Sequence, residues 1–205
     1  MSRSPQNPKR PQQSRGLKRY QQILDVTEEM LVNQGYDAIN TNAIAEQAGI
    51  SIGTLYHYFA DKASILTALL KRTYKEYESV LERTHCKLDL QCSAESYVES
   101  IFNAYEAFEL SRKNKVSFTA PMSRTLLAIP GIEEIDQEYK DRCIEILAAY
   151  YQRRQPELPV IKTQMIATVS LLVLDGIATV SIRDEEAFYT EVYTLMISYF
   201  SLYFN

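Results

Sequence analysis

Residues 41–62 read TNAIAEQAGISIGTLYHYFADK, and this stretch decides the fold. It holds two short helical patterns separated by one glycine, then an aromatic run and a lysine. Thr41 is expected to cap the first helix, its hydroxyl accepting one of the orphan N–H groups at the helix start. Ile44, Ala45 and Ala48 follow on one face at helical spacing. Gly49 falls where a helix ends in a left-handed residue, a conformation that penalises any side chain. Ser51 can cap a second helix at once. Two helices joined by so tight a glycine turn are the signature of a helix-turn-helix, whose second helix enters the DNA major groove.

The pattern extends on both sides. Upstream stand Arg19, Ile23-Leu24, Gly35-Tyr36 and Ala38; downstream come Tyr58-Phe59, Asp61-Lys62 and Leu66. The ordered series G-Y-x-A-x-T, I-A-x-x-A-G-I-S-x-G-T-L-Y-x-Y-F-x-D-K closely resembles the DNA-binding domain of the TetR family of transcriptional regulators. The resemblance covers residues 15–68, about a quarter of the chain. It implies an all-α protein with three parts: a basic arm over 1–14, a helix-turn-helix domain over 15–62 and a larger effector-binding and dimerisation domain over 63–205.

Composition is consistent with that division. A chain of 205 residues with 46% hydrophobic content can bury a sizeable core. No run reaches eighteen apolar residues and the N-terminus has no apolar signal region, so a cytoplasmic protein is expected. The net charge of −4 hides an asymmetry. Residues 1–20 carry Arg3, Lys9, Arg10, Arg15, Lys18 and Arg19 and no acid, whereas acids outnumber bases beyond Ala60. A basic arm on an acidic protein places positive charge where phosphates would be met. Three cysteines without metal-ligand spacing read as reduced side chains.

Helical periodicity runs through the whole chain. Helices are expected over about 15–33, 62–83, 94–110, 116–129, 132–154, 160–182 and 184–200, with no strand. The segment from Val160 is apolar nearly all round, so it must be covered nearly all round. In the family the last two helices pair with their counterparts in a four-helix interface. Leu174 and Ile177 are the positions expected in such a dimer contact.

Site residues follow from the motif. Ser51, Ile52, Gly53 and Thr54 occupy the first turn of the recognition helix. Thr54 and Ser51 can hydrogen-bond base edges, Ile52 can meet a thymine methyl, and Gly53 lets the backbone approach. The resemblance places Tyr56 and His57 on phosphates. Lys62 stands at a helix start suited to phosphate, and Thr41, Asn42, Lys18 and Arg19 are expected to reach the DNA backbone. Leu55, Tyr58 and Phe59 read as core, and Asp61 as a helix cap. For the larger domain, Phe102, Tyr105, Phe118, Met122 and Cys143 are expected to wall an effector pocket bordered by the helix after Ala63. Such a lining suits a small apolar or aromatic molecule. No catalytic constellation, P-loop or dinucleotide motif is readable, and His85-Cys86 reads as a surface pair. Neither an enzyme nor a cofactor is expected. The alternative function is a DNA-bound adaptor whose larger domain takes a protein partner and no small molecule.

Overall fold

The computed structural model describes residues 14–111, 129, 131–179 and 185–204. Every regular element among them is helical: α1 Ser14–Gln34, a 3-10 turn Tyr36–Ala38, α2 Thr41–Gln47, α3 Ile52–Tyr58, α4 Lys62–Lys87, α5 Ala94–Ser111, α6 Ile132–Arg154, α7 Val160–Thr179 and α8 Glu185–Phe200. The all-α expectation holds. The helix expected over 116–129 lies outside the described residues, apart from Ile129. α4 continues past Arg83 to Lys87. The chain divides into two compact units, and α4 and α6 each contribute residues to both.

The first unit comprises residues 14–75 with 129 and 131–135. Its core takes Ile23, Leu24, Met30 and Leu31 from α1, Ile44 and Ala45 from α2, Leu55 from α3, and Ile65, Leu66, Leu69 and Leu70 from α4. Each buried aliphatic side chain of this kind contributes about 1.5–3 kcal/mol. Phe59 lies in this core and stacks on Tyr20, with ring centroids 4.8 Å apart, as its reading as a core residue requires. Polar groups fasten α4 to α1. Arg72 reaches Asp25 at 2.5 Å and Glu28 at 2.8 Å, and it also donates to Gln21. The Glu28 side chain is almost fully buried.

The second unit comprises residues 76–111, 136–179 and 185–204. Its core is aromatic: Tyr97, Tyr150, Tyr151, Phe200 and Phe204 pack with Val98, Leu147, Ile166 and Ala167. Tyr97 stacks on Tyr150 at 5.5 Å and meets Phe200 edge-on at 4.7 Å. A line of polar groups threads this core. The ring of His85 bonds the Leu81 carbonyl through Nδ1 at 2.7 Å and the Tyr97 hydroxyl through Nε2 at 3.0 Å. The Tyr97 and Tyr151 hydroxyls share a hydrogen bond of 2.8 Å, and Tyr151 donates to Ser170 Oγ at 3.2 Å. His85 is therefore only 2% exposed, which corrects its reading as half of a surface pair. Cys86 does lie at the surface. The physical reason is helical phase: one step along α4 turns the side chain by about 100°, so neighbours face core and solvent.

α7 is covered on one side only. Ile166, Ala167 and Ser170 are buried, whereas Ile161, Met165, Val169 and Leu172 are exposed, spaced three to four residues apart along one stripe. Leu174 is half-buried and packs in part against the unit's own core. The side chain of Ile177 lies outside the described residues.

Candidate nucleic-acid interface

The head is assembled by caps that the sequence supplies locally. Asn40, not Thr41, caps α2: its Oδ1 accepts from the Ala43 N–H at 2.9 Å, and its backbone is extended. Thr41 is instead the first helical residue, and its hydroxyl lies 3.2 Å from the Tyr56 hydroxyl. Capping needs an extended residue just before the first helical turn, and the chain adopts that conformation one residue earlier than expected. Gly49 carries φ +61°, the left-handed conformation foreseen for the turn. Ser51 caps α3, accepting from the Thr54 N–H at 3.1 Å, and its hydroxyl bonds that of Thr54 at 2.8 Å. Asp61 caps α4 by accepting from the Ser64 N–H at 2.7 Å.

The recognition helix then presents a defined surface. Ile52, Gly53, Tyr56 and His57 are exposed, Thr54 is half-buried, and Leu55 is fully buried beneath them. A side chain added at Gly53 would touch only Ser51 Oγ at 3.9 Å, so the backbone there faces open space. His57 packs edge-on against Tyr58 at 5.0 Å. The Thr41–Tyr56 contact brings the start of α2 to the exposed face of α3, with Asn42 exposed beside it. The structure thus gathers Thr41, Ser51, Thr54 and Tyr56 into one hydroxyl-bearing face.

The basic residues sit at its margin. Lys62 is half-buried: its ammonium donates to the Tyr36 carbonyl at 3.1 Å and lies 3.7 Å above the Tyr36 ring centre. Two of its three N–H bonds remain for other acceptors. Arg19 donates to Gln22 at 2.9 Å, and Gln22 donates to the Ala48 carbonyl at 2.8 Å. That relay ties α1 to the turn between α2 and α3. Lys18 is exposed on the same helix. Sequence reasoning missed Tyr36 as the seat of Lys62 and Gln22 as the link to Ala48. Nothing in the sequence marked either pairing, each of which spans 26 positions.

The expected effector walls are not all placed. Phe118 and Met122 lie outside the described residues. Phe102 on α5 meets Tyr193 of α8 edge-on at 5.6 Å, and Tyr105 on α5 stacks on Tyr77 of α4 at 6.3 Å. Cys143 on α6 is buried, and burial pushes its thiol up to about 12. Asn103 and Arg142, potential orienting groups if buried, are exposed. Among the described residues no cluster of three or more His, Cys, Asp or Glu is placed to hold a metal, and no helix is long and apolar enough to cross a membrane.

Residues 23–69 match the family model for bacterial regulatory proteins of the tetR family. A transcriptional repressor of Rhodococcus jostii, KstR, is 38% identical over 61 residues, covering 30% of this chain and 29% of that protein. The chain thus spans less than a third of the length of such curated relatives. Likeness of fold extends further. A TetR-family regulator from Streptomyces coelicolor superposes with a TM-score of 0.63 at 22% identity, covering 92% of this chain and 98% of that one. The Bacillus subtilis regulator FadR, solved with stearoyl-CoA, does so at 0.61 and 21% identity, covering 87% and 98%. Helix-turn-helix geometry, exposed recognition-helix tip and flanking basic residues define a DNA-binding head of the regulatory type. Residues 23–69 carry the DNA-binding domain of the TetR family of bacterial regulatory proteins.

Proposed function

We propose that this protein is a ligand-responsive transcriptional repressor that binds a palindromic operator as a homodimer. The observation that carries the reading is the exposed tip of α3, capped at Ser51 and open at Gly53, beside the hydroxyls of Thr41 and Tyr56. Ile52 and Thr54 read base edges; Thr41, Asn42, Tyr56, His57, Lys62, Lys18 and Arg19 hold phosphates. Because few side chains at the tip can hydrogen-bond bases, part of the specificity comes from DNA shape.

The dimer reading is supported by the stripe Ile161, Met165, Val169 and Leu172, with Leu195 exposed on α8. Contiguous exposed apolar side chains of this size mark an interface. Two heads on successive major grooves need recognition helices roughly 34–36 Å apart. An effector that prefers another spacing weakens operator binding by the ratio of its affinities for the two states. For the effector we take an apolar or aromatic small molecule bound in the second unit, with Phe102, Tyr105 and Cys143 at its walls. The stearoyl-CoA held by the Bacillus subtilis regulator of like fold is a precedent for that class of ligand.

The deciding experiment selects operator DNA from a random duplex library and measures binding over a salt series. Tyr56→Phe and Lys62→Ala should weaken all duplexes, and Lys62→Ala should lower the salt slope by about 1. Thr54→Ala should change the selected sequence instead. If the wild-type chain enriches no sequence from the library, the operator reading fails.

A further inference from the structure

We propose that Cys92 is a site of oxidation by hydroperoxides, and that the guanidinium of Arg154 holds the oxidised sulfur as a sulfenate. The inference concerns the second unit alone and stands apart from the DNA-binding reading. Cys92 lies between α4 and α5 and is half-buried. Arg154, the last residue of α6, is 8% exposed. Its Nη2 donates to the Cys92 carbonyl, and its Nη1 donates to Cys92 Sγ at 3.4 Å. The guanidinium carbon stands 4.0 Å from the centre of the Phe204 ring.

The charge accounting at this spot is incomplete without an anion. The Cys92 carbonyl, the Tyr150 hydroxyl and a ring face supply dipole and quadrupole, not a full negative charge. Among the described residues no carboxylate is paired with Arg154, and its Nε is buried with no hydrogen-bond partner. A buried cation without a counter-ion is costly, and the group nearest to supply one is the sulfur. The Tyr150 hydroxyl lies 3.9 Å from the same sulfur. Burial, then the charge and hydrogen bond of Cys92, push Tyr150 up to about 12, so it remains a neutral hydroxyl. The other two cysteines lack this setting. Cys143 is buried with its thiol pushed up to about 12 by burial, and Cys86 is exposed on α4 with no hydrogen-bonded cation among the described residues.

The chemistry balances with the peroxide as the only co-reactant. The Cys92 sulfur attacks the terminal peroxide oxygen; an S–O bond forms and the O–O bond breaks. The sulfur is oxidised by two electrons and the O–O bond is reduced. The thiol proton leaves with the displaced oxygen as water, or as an alcohol from an organic hydroperoxide. Ionisation of the resulting sulfenic acid gives the anion that Arg154 lacks. All three cysteines are free, so no disulfide competes for the sulfur as the chain stands.

The test treats the full chain with hydrogen peroxide in the presence of dimedone and follows the adduct on each cysteine peptide by mass spectrometry. Cys92 should label at least ten-fold faster than Cys86 or Cys143. The double variant Cys86→Ala/Cys143→Ala should keep the full rate. Arg154→Gln should lose most of the labelling and Arg154→Lys should keep most of it. Arg154 is buried, so circular dichroism must accompany both variants. If Arg154→Gln does not fold, the wild-type rates and the double variant decide. Labelling of Cys86 as fast as Cys92, or no adduct on Cys92, overturns the proposal; so does a folded Arg154→Gln with the wild-type rate.

Discussion

Lowering the pH from 7.5 to 5 should destabilise this protein through His85 in a way that one substitution removes. The ring is buried and held between the Leu81 carbonyl and the Tyr97 hydroxyl. Burial lowers its pKa from 6.5 to about 4; the Leu81 hydrogen bond opposes the change and the charge of Arg153 adds to it. The unfolded chain therefore binds a proton at a pH where the folded chain does not. Stability is fully present above 6.5 and is lost as pH falls toward 4. The gap between those values, at 1.36 kcal/mol for each pH unit, amounts to about 3 kcal/mol in all. About 2 kcal/mol of it is gone at pH 5. Other groups titrate over the same range, so the comparison is with His85→Gln, which keeps polar atoms and cannot take the proton. Urea unfolding of both proteins at pH 7.5, 6 and 5 measures the difference. The native chain should lose about 2 kcal/mol more than the variant by pH 5. Equal losses in the two proteins would refute the reasoning.

Three further outcomes are expected. Arg72→Ala breaks the pair with the buried Glu28 and should lower stability by about 3 kcal/mol, while Arg72→Met with Glu28→Leu should restore much of it; thermal unfolding distinguishes them. Gly49→Ala meets no atom within 4 Å, so its cost is backbone strain alone at φ +61°, about 1–2 kcal/mol, seen as a melting temperature lower by roughly 2–8 °C. Leu172→Glu places a charge on the exposed stripe of α7 and should yield folded monomers by sedimentation; a folded Leu172→Glu dimer would move the interface elsewhere.

The head was legible because its decisive signals are local. Gly49, Ser51 and Asp61 each act within three residues of themselves, through a backbone conformation or a cap, and each does what its type and spacing required. Even the error was local: Asn40 and Thr41 are both good caps, and only the actual turn into α2 chooses between them. Long-range placement was less legible. Nothing near Lys62 in sequence says that its ammonium will rest on Tyr36, 26 positions earlier. Gln22 and Ala48, also 26 apart, meet only because the core of the first unit brings α1 across the turn.

The second unit shows the same limit more strongly, and His85 explains why. Apolar spacing identified its helices, but a polar side chain between two apolar ones gives no sign of its side. The periodicity that buries Leu81 partly and His85 fully also turns Cys86 outward, and a His-Cys pair on paper looks like one surface feature. Tyrosine adds to the ambiguity. Tyr97 carries the same hydroxyl that a pocket wall would use to orient a ligand. Here that hydroxyl is committed to His85 and Tyr151, and the ring is covered by Tyr150, Phe200 and Phe204. A buried polar group must find partners inside the protein, and aromatic hydroxyls that satisfy one another form core where the composition suggested cavity. The search for an effector therefore narrows to aromatic side chains that still reach the surface. Tyr105 is one: it is 37% exposed on α5, stacked on Tyr77 and hydrogen-bonded to it. A Tyr105→Ala chain that keeps its stability and its operator affinity but loses its response to ligand would place the effector there, whereas loss of stability would return Tyr105 to the core.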